Sequence, residues 1–263
     1  MSASTRDRYD HDGYVVARGV VDRDITSLAH RHVKMTMARF PALSSEELHK
    51  QMLWTEDPVY LYLVRQPGMI DLARSMLGDD LAVFATGYII KEPGNSPAVL
   101  WHQDGSYWPL DPMEVCTLWL AITDSRPENG CMRVVPGTHT MRLQELRERT
   151  DVRNLLDSSL DESIVDESAA VDLVLEPGDV SVHHPNIVHG SAANDSQELW
   201  RLNLVARIIA AETRVTDPDW PGVFHLSGVV RDDVNTYLPT PAWREGEHMR
   251  FPGCEEIAEH GHE

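Results

Sequence analysis

Trp101-His-Gln-Asp-Gly-Ser-Tyr-Trp108 sets an imidazole and a carboxylate two residues apart, at His102 and Asp104. In an extended chain, alternate side chains share a face. Both groups would then point into one cavity, with Gln103 turned away. Val99 and Leu100 ahead of the pair read as strand, and Gly105-Ser106 behind it as a turn. A third donor of the same chemistry, His189, stands in His184-Pro-Asn-Ile-Val-His-Gly-Ser191. Two imidazoles and one carboxylate form a facial triad that leaves three cis positions of an octahedral ion open. That ligand set is expected for non-haem iron(II) chemistry with dioxygen.

His189 needs a strand of its own. Pro177-Gly178 supplies a turn, and an apolar run follows it. Arg201 heads a further strand, Trp200-Arg-Leu-Asn-Leu-Val-Ala-Arg-Ile-Ile209. Period-two alternation puts Arg201, Asn203, Val205, Arg207 and Ile209 on one face, and Leu202, Leu204, Ala206 and Ile208 on the other. A guanidinium on the first face can hold the carboxylate of a keto-acid co-substrate as a bidentate pair. A lone His-x-Asp is a weak signal in a chain with 13 histidines. The order and setting of all the motifs together give it weight.

From Leu81 the chain reads as short strands separated by turns: 81–91, 99–104, 114–123, 131–135, 171–175, 179–189 and 200–210. Ahead of them, residues 13–21 are apolar and β-branched. Residues 25–40 carry helical spacing at Ile25, Leu28, Val33 and Met37; Ser44-Ser-Glu-Glu47 has the form of a helix cap; and 68–77 reads as another helix. The expected architecture is a mostly β, double-stranded β-helix (jelly-roll, cupin-like) core with flanking N-terminal helices. We expect a single domain over 1–263, with the acid-rich segment 142–170 as an insertion or lid over the site. The terminal Glu259-His-Gly-His-Glu263 reads as a frayed tail.

A formal net charge of −19 disfavours nucleic acid and anionic membranes as partners. No apolar run is long enough for a membrane span, and the first residues lack a signal-peptide core. Three widely spaced cysteines, Cys116, Cys131 and Cys254, support neither a disulfide framework nor a zinc ribbon, and the cytoplasm is the expected compartment. No basic cluster is present to dock a polyphosphate. The charge balance therefore points to a small, free, non-thioester substrate, neutral or cationic. Nothing here sets the oligomeric state.

Several segments together resemble the phytanoyl-CoA dioxygenase family of Fe(II)/2-oxoglutarate-dependent oxygenases. They are Tyr9-Asp-His-Asp-Gly-Tyr-Val-Val-Ala-Arg18, similar to that family's first strand; Tyr88-Ile-Ile-Lys-Glu-Pro93; Trp101-His-Gln-Asp104; Val115-Cys-Thr-Leu-Trp-Leu-Ala-Ile122; Arg126-Pro-Glu-Asn-Gly-Cys-Met-Arg-Val-Val-Pro-Gly-Thr-His139; Glu176-Pro-Gly-Asp-Val180; and His189-Gly-Ser-Ala-Ala-Asn194. The resemblance implies that His102, Asp104 and His189 are the catalytic iron ligands. Arg201 would pair with the distal carboxylate of 2-oxoglutarate, with Ser191 beside it and Arg207 as the alternative. Lys91, Thr117 and Trp119 are implied to flank the co-substrate. The implied reaction consumes dioxygen and 2-oxoglutarate, releases succinate and CO2, and hydroxylates a C–H bond of a small metabolite or natural-product intermediate. Related halogenases replace the carboxylate ligand with a small residue, so Asp104 favours hydroxylation. Tyr107 and Trp108, next to the ligand pair, are candidate substrate walls. Two other readings stay open at this level: a zinc-dependent hydrolase on the same ligands, and a non-catalytic ligand-binding jelly roll.

Overall fold

The computed structural model describes residues 4–94 and 96–258. Among the described residues, five α-helices lie in the first third of the chain: α1 (Thr5–Asp12), α2 (Arg23–Arg39), α3 (Ser45–His49), α4 (Pro58–Val64) and α5 (Pro67–Leu77). The strands are β1 (Tyr14–Ala17), β2 (Leu81–Lys91), β3 (Val99–His102), β4 (Leu110–Asp111), β5 (Val115–Ala121), β6 (Met132–Val134), β7 (Arg147–Glu148), β8 (Ser158–Ser159), β9 (Val171–Asp172), β10 (Val180–His183), β11 (His189–Ser191), β12 (Arg201–Ala210), β13 (Arg214–Val215) and β14 (Phe224–Ser227). A six-stranded sheet runs β1-β10-β5-β12-β2-β14 and a four-stranded sheet runs β3-β11-β6-β9. Their pairings are antiparallel throughout. Two facing antiparallel sheets are the double-stranded β-helix that the strand pattern predicts.

The large sheet is buried on both faces, and strand alternation sorts its side chains. Leu118 and Leu120 of β5, Val180 and Val182 of β10, and Leu202, Leu204 and Ala206 of β12 pack with helix residues such as Leu28, Val33, Leu61 and Met69. The opposite face turns Trp119 and Val205 toward Met132, Val134 and Ile187 in a separate apolar cluster between the sheets. The core thus has two layers, and the second encloses the site.

Three expectations need correction. Tyr9–Arg18 is not strand from its start. Ser4 and Asp7 form a capping box that opens α1, and Gly13, at φ 80°, ends it before β1 begins at Tyr14. Ile209 leaves the polar stripe of β12 and packs with Ile208 in the helix-side core. A register shift against β2 between Arg207 and Ile208 breaks the alternation there. The strand expected over 99–104 stops at His102, and Asp104 starts a 3-10 turn over Asp104–Tyr107.

Segment 142–170 contains the small β7–β8 pair and two 3-10 turns, Glu162–Ile164 and Glu167–Ala169. It is tied to the barrel: the amides of Leu155 and Leu160 donate to the carbonyls of Ala98 (3.0 Å) and Trp101 (2.8 Å). The tail from Glu259 lies outside the described residues. No helix among the described residues is long and apolar enough to cross a membrane.

Candidate active site

His102 and His189 face each other across the β3–β11 pair, with ring centroids 4.1 Å apart. Gln103 keeps an extended backbone (φ −117°, ψ 122°), so Asp104 returns to the same side as His102. The Gln103 side chain points away and is fully buried. Its amide donates to the Asn186 carbonyl at 2.7 Å, and its oxygen accepts from the Gln144 amide at 2.9 Å. Asp104 Oδ1 lies 3.5 Å from His102 Nε2 and 3.8 Å from His189 Nε2. One donor atom from each of the three residues falls within 4.8 Å of the other two, and all three side chains are buried.

The donor set suits a metal. His102 Nδ1 donates to the Leu100 carbonyl at 2.8 Å, and His189 Nδ1 donates to the Ile187 carbonyl at 3.0 Å. A carbonyl can only accept, so each neutral ring keeps its lone pair on Nε2, aimed at Asp104. Burial, with His102 beside it, holds His189 well below the usual imidazole range, which keeps it an unprotonated ligand. Burial alone would raise the Asp104 carboxyl. The contacts with His102 and His183, with His189 and the Arg207 guanidinium close by, hold it well below the usual carboxylate range. Thr117 Oγ1 donates to Asp104 Oδ2 at 3.2 Å and fixes the plane of the carboxylate.

These groups open onto a cavity of about 50 Å³. Its lining includes Thr117, Trp119, Ser191, Arg201 and Arg207, together with apolar Ile89, Val99, Met132, Leu155, Leu156 and Val205. Arg201 is 2% exposed, and its Nη1 donates to Asn203 Oδ1 at 3.2 Å. Its Nε and Nη2 are buried without partners. Burial lowers its guanidinium to about 9, the mark of a cation deprived of water. Its guanidinium carbon lies 5.4 Å from the centroid of the Trp119 ring. An unpartnered buried fork of this kind fits an incoming carboxylate.

Not every expected residue reaches the cavity. Lys91 is opposite Arg201 in the β2–β12 register, but its ammonium donates to the Ala192 carbonyl behind the site. Trp108 packs against the Phe84 ring at 5.8 Å, as a core residue would. The Tyr107 hydroxyl is bonded to Ser158 Oγ at 2.6 Å, and its ring stays 6.1 Å from His102. The 3-10 turn after Asp104 redirects both aromatic rings away from the lining.

Two histidines not expected from the sequence also line it. His183 is 1% exposed, and neither ring nitrogen has a hydrogen-bond partner. Its Nε2 sits 3.5 Å from Asp104 Oδ2. Strand alternation from Ser181 could have signalled it. His49 arrives on α3, donates from Nδ1 to the Tyr88 carbonyl at 3.0 Å, and has no local sequence signal.

The fold, the ligand cluster and the relatives define an Fe(II)/2-oxoglutarate-dependent dioxygenase, with iron(II) as its metal and 2-oxoglutarate and dioxygen as co-substrates. The family profile described as Phytanoyl-CoA dioxygenase (PhyH) matches residues 9–202. The chain belongs to that family. It is 26% identical over 226 residues to a probable phytanoyl-CoA dioxygenase of Caenorhabditis elegans, an alignment covering 75% of this chain and 72% of the relative. Among solved structures, the apo form of ThoJ, a non-haem monooxygenase, superposes with a TM-score of 0.74 at 24% identity, covering 93% of this chain and 89% of that one. EctD from S. alaskensis, with 2-oxoglutarate and 5-hydroxyectoine, gives 0.65 at 22% identity, covering 83% and 79%. The structural likenesses show the shared fold. Family membership sets aside the zinc-hydrolase and non-catalytic readings.

Proposed function

We propose that this dioxygenase hydroxylates a C–H bond of a small, free metabolite. His102, Asp104 and His189 hold iron(II), and Arg201 with Ser191 takes the distal carboxylate of 2-oxoglutarate. The observation that carries this reading is the pair of imidazoles whose Nδ1 atoms are tied to backbone carbonyls, leaving both Nε2 lone pairs beside one carboxylate. When bound, iron and co-substrate supply the oxidation: one oxygen atom of O2 goes to succinate as CO2 leaves, and the other goes to the substrate.

The chain's own residues do the rest. Thr117 holds the ligand carboxylate. Trp119, Val205 and Met132 make the wall apolar and exclude water, which strengthens the pairing at Arg201. Segment 142–170 acts as a cover over the site, a role supported by Leu155 and Leu156 in the cavity lining. Free, buried Cys116, Cys131 and Cys254 suit a reducing cytoplasm.

The test is a metabolite extract incubated with enzyme, iron(II) and 2-oxoglutarate under air. We expect a metabolite to gain the mass of one oxygen in step with succinate release. Succinate release indifferent to every extract fraction would count against a small-metabolite hydroxylase.

A further inference from the structure

We propose that Arg207 is the anion-binding residue of the primary-substrate pocket, and that the substrate is a small organic acid whose carboxylate it holds. The proposal rests on the oxygenase reading above and assigns the substrate class of that same site.

The strand register separates the two cavity arginines. Thr117 of β5 is opposite His183 on one side and Arg207 on the other, so the three form one rung across the large sheet. Asp104 sits over this rung, 3.2 Å from Thr117 Oγ1 and 3.5 Å from His183 Nε2. Arg207 therefore stands at the level of the ligand cluster, where a substrate C–H must come. Arg201 is six residues away on the same strand, opposite Lys91, which is roughly 20 Å of strand at about 3.3 Å per residue. The two guanidinium groups reach into one cavity from its opposite ends. A single dicarboxylic co-substrate needs only the far one.

Arg207 has unused binding capacity. Its Nε is buried without a partner, and its guanidinium carbon lies 5.7 Å from the Trp108 ring centroid. A buried donor without an acceptor is costly, and the cost is recovered when an anion arrives. Charge balance points the same way. With imidazoles neutral, the lining holds two guanidinium groups and one carboxylate, a net of one positive charge. A divalent ion and a dianionic co-substrate cancel and leave that excess in place. A substrate carboxylate removes it. The −19 of the whole chain, which pointed to a neutral or cationic substrate, is spread over the surface, and this pocket has the opposite sign.

The test uses the full chain loaded with nickel(II) and 2-oxoglutarate, so that no turnover occurs. Matched carboxylic acids and primary amides, aliphatic and aromatic, from two to ten carbons, are titrated by calorimetry. We expect the acids that fit to bind at least about ten-fold tighter than their amides. Arg207→Gln should abolish that preference and leave the 2-oxoglutarate affinity within about three-fold; Arg207→Lys, which keeps the charge and guards against a misfolded variant, should retain part of it. Equal affinities, or no binding by any acid, would overturn the proposal. So would an Arg207→Gln variant that loses 2-oxoglutarate instead. Failure of the wild type to bind 2-oxoglutarate would strike the oxygenase reading itself, and the acid–amide comparison is read separately.

Discussion

Arg201 keeps two guanidinium nitrogens buried and unpartnered, so its charge is tolerated rather than stabilised until an anion joins it. Removing the side chain should therefore harm co-substrate binding far more than folding. We expect Arg201→Ala to raise the 2-oxoglutarate requirement by about 100-fold or more, on the order of 3 kcal/mol, with little change for the primary substrate. Steady-state titration of each at saturating levels of the other checks this. An unchanged 2-oxoglutarate requirement, with a large rise in Arg207→Ala, would transfer the role to Arg207. At this scale the sequence was informative wherever spacing encodes direction. His102 and Asp104 share a face because they are two apart, and Arg201 follows the same alternation along β12. Lys91, Tyr107 and Trp108 were misplaced because their directions depend on a carbonyl acceptor and a 3-10 turn that no local pattern announces. His49 was illegible for a different reason: only the packing of α3 on β2 brings it to the cavity.

Strand β10 delivers His183 to the ligand rung, and its position is set by the turn at Gly178. That residue has φ 94°, and a Cβ there would meet the Val21 carbonyl oxygen at 2.2 Å. Gly178 also bonds through its own amide to Ala121 and through its carbonyl to Val21, joining β5 to the start of the helical layer. We expect Gly178→Ala to cost about 2–4 kcal/mol, read as a lower urea midpoint. Gly94→Ala is the control, because Gly94 has φ 93° but nothing within 4 Å of the added Cβ. Equal losses in the two variants would mean that backbone strain alone, without the Val21 clash, sets the cost. Among elements, long alternating strands such as β2, β5 and β12 were legible to within a few residues, as were α2 and α5. At the start of the chain the residue pattern from 13 onward matches the strand at Tyr14–Ala17, whereas the family resemblance, begun at Tyr9, ran across a capped helix. The short pieces of 142–170 have no period long enough to read.

The whole molecule combines an acidic exterior with a buried, imidazole-rich interior, and this sets its response to pH. Burial and the charge of Arg207 push His49 down to about 4 from an ordinary 6.5, and burial with His139 does the same for His184. A histidine held below its unfolded value stabilises the fold fully above about pH 6.5. That contribution is lost as pH falls toward 4, because the unfolded chain takes up protons that the native one refuses. For partly buried His49 the loss is at most on the order of 3 kcal/mol. We expect the urea midpoint to fall steadily between pH 6.5 and 4, less steeply in His49→Gln; a flat profile over that range would contradict the burial of these rings. The overall architecture was legible because an all-β core behind a helical front has few topologies. The cavity's sign was not, since a net charge counts surface residues that never face it. The most direct test of the account is anaerobic calorimetry of the whole chain with iron(II) and then 2-oxoglutarate. We expect one iron per chain, 2-oxoglutarate binding only once iron is present, and loss of both in Asp104→Ala. Iron binding that survives in Asp104→Ala, or 2-oxoglutarate binding that ignores the metal, would contradict it.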